Sequence, residues 1–236
     1  MTGISRRAMF KAVSAVGAAI LPTAGAAAAP SPVAQADTYL FLNSTEAAFI
    51  EAAVARLIPA DDQWPGAIEA GVPNYIDKQL AGAWGAGERL YRGGPWQPGT
   101  PSQGYQLPFV PAELFRTAID AIDKQSGTPF AKMTAEAQDA YLRGLEAGGK
   151  DLGGVPGDVF FEHLWNCTVE GFFSDPVYGG NRDMIAWRMI GFPGAYASYY
   201  DLVDQHGIKL DRPPMSLAQN SHGHVHMDPE IPAQLP

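Results

Sequence analysis

The chain has 236 residues, with 25 acidic against 16 basic side chains and a formal net charge of −9. That balance argues against nucleic acid and against an anionic membrane surface as partners. The single cysteine, Cys167, excludes an internal disulfide, a cysteine-ligated iron–sulfur cluster and a covalently attached c-type haem, which needs Cys-x-x-Cys-His.

The first 36 residues read as an export address rather than as structure. Arg6 and Arg7 form a twin-arginine pair in Ser5-Arg6-Arg7-Ala8-Met9-Phe10-Lys11, followed by a mildly apolar run from Ala12 to Leu21. The run is too short to span a bilayer, which takes about 20 residues. A full twin-arginine consensus places Phe where Met9 stands; the alternative is an ordinary secretory signal that carries two arginines. Ala26-Ala27-Ala28 and Ala34-Gln35-Ala36 both fit a signal peptidase, the second being preferred. Removing residues 1–36 takes away Arg6, Arg7 and Lys11 and no acid, so the net charge moves from −9 to −12. Twin-arginine export carries folded proteins, so such a chain either holds something itself or accompanies something that does.

The remainder fits one helical domain over residues 37–217, with residues 218–236 as a flexible tail. Ser44 can cap a first helix, with Phe49, Ile50, Ala53, Val54, Leu57 and Ile58 at helical spacing and Pro59 as its stop. A short helix is expected from about Asn74 to Trp84, after Pro73. Residues 85–109 are broken by glycine and proline and interleaved with Tyr91, Trp96 and Tyr105, the composition of a functional loop or a binding arm. Helical periodicity resumes at Pro111 and ends near Gly127; Thr134 can cap another helix that closes at Gly148-Gly149. From about Asp158 to Phe173 the sequence is apolar almost all round, as in a central, buried helix. Two shorter helical stretches are expected near Asp183–Ile190 and Ala195–Gln205. With no alternating strand pattern, the expected class is all-α.

Residues 170–194 read Glu-Gly-Phe-Phe-Ser-Asp-Pro-Val-Tyr-Gly-Gly-Asn-Arg-Asp-Met-Ile-Ala-Trp-Arg-Met-Ile-Gly-Phe-Pro-Gly. The run Gly-Phe-Phe-x-Asp-Pro-x-Tyr-Gly-Gly-Asn, with a following Trp and Gly-Phe-Pro-Gly, resembles the hallmark of gluconate 2-dehydrogenase subunit 3. Weaker likeness extends from Asn43 to Leu217. The resemblance implies a small subunit without a catalytic residue or cofactor site of its own, bound to a large FAD-containing dehydrogenase of the glucose–methanol–choline kind. It further implies a multihaem cytochrome c partner, membrane contact only through partners, and one twin-arginine signal that exports both chains to the periplasm. Phe173, Asp175, Pro176, Tyr178, Gly179, Gly180, Asn181, Arg182 and Trp187 are then the candidate partner interface. Taken by themselves, Asp175-Pro176 ends the buried helix, and Gly179 and Gly180 allow positive φ or close backbone approach. Asn181 or Asp183 could cap the next helix. Tyr178, Trp187 and Phe192 either dock a partner or fill the core.

Cys167 also joins the interface candidates. An unpaired cysteine in an exported protein is buried and inert, exposed and reactive, or bonded to another chain. Spacing from Trp165 and Val169 puts it on the side of His163 and Glu170, the more polar side of its helix.

His222, His224 and His226 alternate near the C-terminus with Asp228 beyond them. Such a set can bind Zn²⁺ or Cu²⁺, and a free-standing periplasmic metal enzyme is the rival to a helper subunit. A chaperone that releases its client after export is a third reading. Asp61-Asp62, and Glu162 with His163, could act as acid/base pairs, but no nucleophile motif accompanies them.

Overall fold

The computed structural model describes residues 38–97, 99–100, 102–195, 202, 204–209 and 212–219. The chain divides into a unit of residues 1–36 and a unit of residues 37–236, and all described residues lie in the second. Arg6, Arg7, the two cleavage motifs and the tail histidines therefore lie outside the described residues. So do residues 196–201 and 203, on which most of the last expected helix falls.

The described residues form six α-helices and no strand. Helix α1 is Ser44–Leu57. Its cap is Asn43 rather than Ser44: the Asn43 side chain accepts from the Thr45 and Glu46 amides at 2.9 and 3.0 Å, and the Glu46 carboxylate accepts from the Asn43 amide at 2.9 Å. Helix α2, Val72–Ala81, ends earlier than the periodicity suggests, because Gly82 leaves the helix and the Gly85 amide turns back to the Gln79 carbonyl at 3.0 Å. Helices α3, Pro111–Ser126, and α4, Ala135–Glu146, run as expected, with Gly127 in the left-handed region and the Thr134 hydroxyl accepting from the Ala137 amide. Helix α5, Gly157–Phe173, leads through two short 3-10 turns into α6, Ile185–Ile190.

Helix α5 is the axis of the fold, packed against all five other helices. Its apolar residues meet an aromatic cluster in which Phe49, Phe115, Phe130 and Phe160 are all buried, with Phe49–Phe130 at 4.8 Å and Phe115–Phe160 at 5.4 Å between ring centroids. The first pair is tilted and the second edge-to-face, and aromatic contacts of this kind add to area burial. Arg56 of α1 and Asp139 of α4 close the bundle with a two-pronged ion pair, Nε–Oδ1 at 2.8 Å and Nη2–Oδ2 at 3.1 Å.

The segment before α1 is held by a carboxylate that composition and spacing do not flag. Asp77 of α2 is fully buried, and its oxygens accept from the backbone amides of Leu40, Phe41 and Leu42 at 2.7, 2.9 and 2.9 Å. Three charge-assisted bonds offset the desolvation of the carboxylate and fix residues 40–42 across α2. Asp77→Asn keeps the shape but removes the charge and points an NH₂ group at amide donors. It is expected to cost about 2 kcal/mol, a fall in Tm of about 4–8 °C for a domain of this size. An unchanged Tm in a thermal melt contradicts the clasp.

Candidate functional site

The residues from Phe173 to Gly194 form a loop whose interior is polar and whose outer face is apolar. Asp175 ends α5, as the Asp-Pro pair requires, and its buried side chain caps the next 3-10 turn by accepting from the Val177 amide at 3.0 Å. The same carboxylate accepts from the Ser216 hydroxyl at 2.6 Å and the Leu217 amide at 2.7 Å. One buried charge thus ties the loop to the C-terminal stretch of the described chain.

Asn181 is fully buried with φ of 44°. Its amide group donates to the Ser174 carbonyl at 2.9 Å while its oxygen accepts from the Ala186 amide at 2.9 Å, so it bridges the end of α5 to the start of α6. Asp183 and Met184, both at φ of 56°, put two more non-glycine residues in the left-handed region within the same short stretch. Each such residue costs about 1–2 kcal/mol, which the surrounding bonds offset. Trp187 is buried, donates its indole N–H to the Phe173 carbonyl at 2.9 Å, and packs edge-on to Phe192 at 5.1 Å.

The two adjacent glycines answer to different needs. Gly179 sits at φ of 98°, where its carbonyl accepts from the Asn74 side chain at 3.0 Å. Gly180 serves close approach: a Cβ there would lie 2.1 Å from the Gly171 carbonyl oxygen. Gly194, at φ of 81°, presses against the Met215 backbone, where the chain makes a parallel bridge.

The loop therefore divides its sequence-derived candidates. Asp175, Gly180, Asn181 and Trp187 are buried and act as scaffold, and Phe173 and Pro176 are half-buried. Tyr178 and Arg182 reach the surface. Tyr178, 53% exposed, and the motif residue Phe192, 45%, are joined at the surface by apolar residues that the motif does not single out by type: Val177 is 46% exposed, Ile190 55% and Leu217 58%. Five of the twelve large exposed apolar side chains among the described residues fall in this one region. Tyr178 and Phe192 were open between docking and core, and both are on the surface, while Trp187 is in the core.

Cys167 lies inside the core, not on a polar face. The polar stripe of α5 is Glu162, Asn166 and Glu170, and Cys167 falls just beside it, where α2 closes over the helix. Gly171 allows that closeness, since a Cβ there would stand 2.8 Å from the Tyr75 ring. Burial, and then the Glu170 carboxylate, push the thiol up to about 12. A thiol so placed is a poor nucleophile. The same burial and Glu170 raise Tyr75, whose hydroxyl donates to Glu170 at 3.4 Å.

The acid/base candidates do not converge. Asp61 uses its carboxylate to accept from the Gln63 and Trp64 amides in a surface turn, and those bonds lower its pKa. His163 is wedged between the Trp84 ring at 6.1 Å and the Tyr105 ring at 5.7 Å, and burial holds its pKa below the usual value. Part of the 85–109 arm thus packs on the bundle, with the Tyr105 hydroxyl donating to the Phe109 carbonyl at 2.6 Å, while Tyr91 stands out in solvent. Among the described residues no group of three His, Cys, Asp or Glu side chains is placed to hold a metal ion, and no helix is long and apolar enough to cross a membrane.

A family model described as gluconate 2-dehydrogenase subunit 3 matches residues 44–194, from the first residue of α1 to the last glycine of the Gly-Phe-Pro-Gly run. No curated protein and no solved structure matches the chain.

Proposed function

The chain belongs to the gluconate 2-dehydrogenase subunit 3 family, and on that premise we propose that it is the small subunit that stabilises and exports an FAD-dependent sugar or sugar-acid dehydrogenase. The observation that carries this reading is the family match itself, which runs through the whole of the interlocked loop from Phe173 to Gly194. A loop that uses two buried polar side chains, Asp175 and Asn181, and a buried indole N–H to fix its backbone suits a docking element better than a catalytic one.

In this reading the redox groups sit on other chains. The lone thiol, Cys167, is packed in the core, and no Gly-x-Gly-x-x-Gly opens a strand–helix unit for a dinucleotide, which supports placing them elsewhere. FAD is then held by the large subunit, and c-type haem by a multihaem cytochrome that passes electrons onward. The leader with Arg6 and Arg7 takes the folded pair to the periplasm, and contact with the inner membrane comes through partners. Purification of this chain from its own host tests the reading: a larger flavin-containing polypeptide should accompany it.

A further inference from the structure

We infer that residues 39–42 form a strap whose fastening decides whether the chain keeps its leader. Fastened, the strap protects the joint between leader and body; released, it opens that joint to a protease that takes extended apolar chain. The inference rests on the export part of the proposed function and adds a control point to it.

The joint reads Asp37-Thr38-Tyr39-Leu40-Phe41-Leu42, so four large aromatic or aliphatic side chains in a row begin two residues beyond Ala36. Three helices hold them. The Asp77 carboxylate of α2 takes the amides of Leu40, Phe41 and Leu42. Arg116 of α3 lays its guanidinium over the Phe41 ring, 4.0 Å from the centroid, and donates to the Phe41 carbonyl at 3.0 Å. Glu51 of α1 accepts from the Tyr39 hydroxyl at 2.7 Å, and Leu42 is buried in the core. Arg116 is itself held by Glu46, Nε to Oε1 at 3.2 Å, the carboxylate that also caps the Asn43 amide.

The partners stand 12, 35–37 and 75 residues along the chain from the groups they hold, so the strap fastens only once α1, α2 and α3 have assembled. A protease takes its substrate as an added extended strand and pairs with the backbone amides. In the fold Asp77 already occupies those of residues 40–42. The strap is also shallowly seated: Leu40 is 75% exposed, and the Arg116 and Glu51 contacts lie at the surface. Such a segment opens ahead of the helices beneath it. Cleavage there adds water across one peptide bond, leaving a new carboxylate on the leader fragment and a new amine on the body. A chain that has not folded thereby loses its export address, and a folded chain keeps it.

The test follows the full chain, tagged at its C-terminus, in its own host, with Asp77→Asn and Arg116→Ala as strap variants. Leu145→Ala controls for lost stability, because Leu145 is fully buried on α4, which supplies no group to the strap. Thermal melts establish that each is folded at the growth temperature. Arg116 is half exposed, so its variant reads the strap even where Asp77→Asn does not fold. Leaderless cytoplasmic protein with a new N-terminus at Leu40, Phe41, Leu42 or Asn43 is expected to rise about tenfold with Asp77→Asn and about threefold with Arg116→Ala. Periplasmic protein falls in step, while Leu145→Ala stays at the parent's level in both fractions. Chymotrypsin added to the purified full chains should cut the two strap variants first within residues 39–42. Strap variants that keep the leader and reach the periplasm like the parent overturn the proposal and leave the export reading standing. Equal cleavage of the joint in Leu145→Ala also overturns it, since overall stability then governs the joint. A parent that never reaches the periplasm removes the export reading, and the proposal with it.

Discussion

Gly180→Ala is expected to lower Tm by about 6–12 °C and to abolish complex formation, although it adds a single methyl group. The added Cβ would lie 2.1 Å from the Gly171 carbonyl oxygen and 2.9 Å from the Ser174 hydroxyl. Neither contact can be relieved by turning a long side chain, because the first is to helix backbone and the second is to a group that itself donates to that carbonyl at 3.2 Å. The loop must lift off α5, which strains the Asn181 bridge between Ser174 and Ala186 and displaces Tyr178 with it. Overpacking of this severity costs about 3 kcal/mol or more, and about 2–4 °C in Tm follows from each kcal/mol at this size. Gly191→Ala is the control. It has φ of 71° but nothing within 4 Å of its Cβ position, so it should cost only the conformational penalty of about 1 kcal/mol. Equal losses in the two variants would mean that backbone strain, not space, governs the loop.

The second large effect concerns export. Replacing Arg6 and Arg7 together by lysine keeps both positive charges, so any change comes from losing the planar, multiply donating guanidinium pair and not from charge. The expected result is that this chain and the flavoprotein both remain in the cytoplasm, still bound to one another, while dehydrogenase activity in the periplasmic fraction falls to background. Under the proposed escort role the partner is retained because the signal it depends on belongs to this chain, while the substitution leaves residues 38–219 unchanged. Cell fractionation with antibodies to both chains reads the outcome. Flavoprotein that reaches the periplasm in full, with only this chain held back, removes the escort role.

Much of the architecture was legible because helices announce themselves by period and punctuation. The stripes over Phe49–Leu57 and Phe115–Ile122 became buried faces, and α5, apolar almost all round, became the central helix. Boundaries were read less well where tertiary bonds decided them. The α1 cap moved to Asn43 because Glu46 reciprocates its hydrogen bond, and α2 stopped at Ala81 because Gly82 and Gly85 fold the chain back. Of the states left open for Cys167 the fold shows the buried one, because the side of α5 that carries His163 and Glu170 is partly covered by α2, where Gly171 comes close to Tyr75. The motif named the loop but not its division of labour. Asp175 and Asn181 look like surface polar residues in the sequence, and only the fold reveals that Asn181 bridges the ends of two helices and that Asp175 binds a stretch about 40 residues on. Leu217 is brought beside the loop by the bond of its amide to Asp175, which no local pattern records. Asp77 escaped for the same reason, since its partners stand 35–37 residues away.

The central claim is that this chain works bound to a flavoprotein, and size-exclusion chromatography of the tagged chain from its own host tests it most directly. Absorbance of the flavin is followed alongside that of the protein. The account predicts one peak holding this chain and a larger polypeptide in equal amounts, with flavin absorbance tracking protein across it. A chain that elutes by itself, colourless, with the host's dehydrogenase activity in a separate peak, contradicts it.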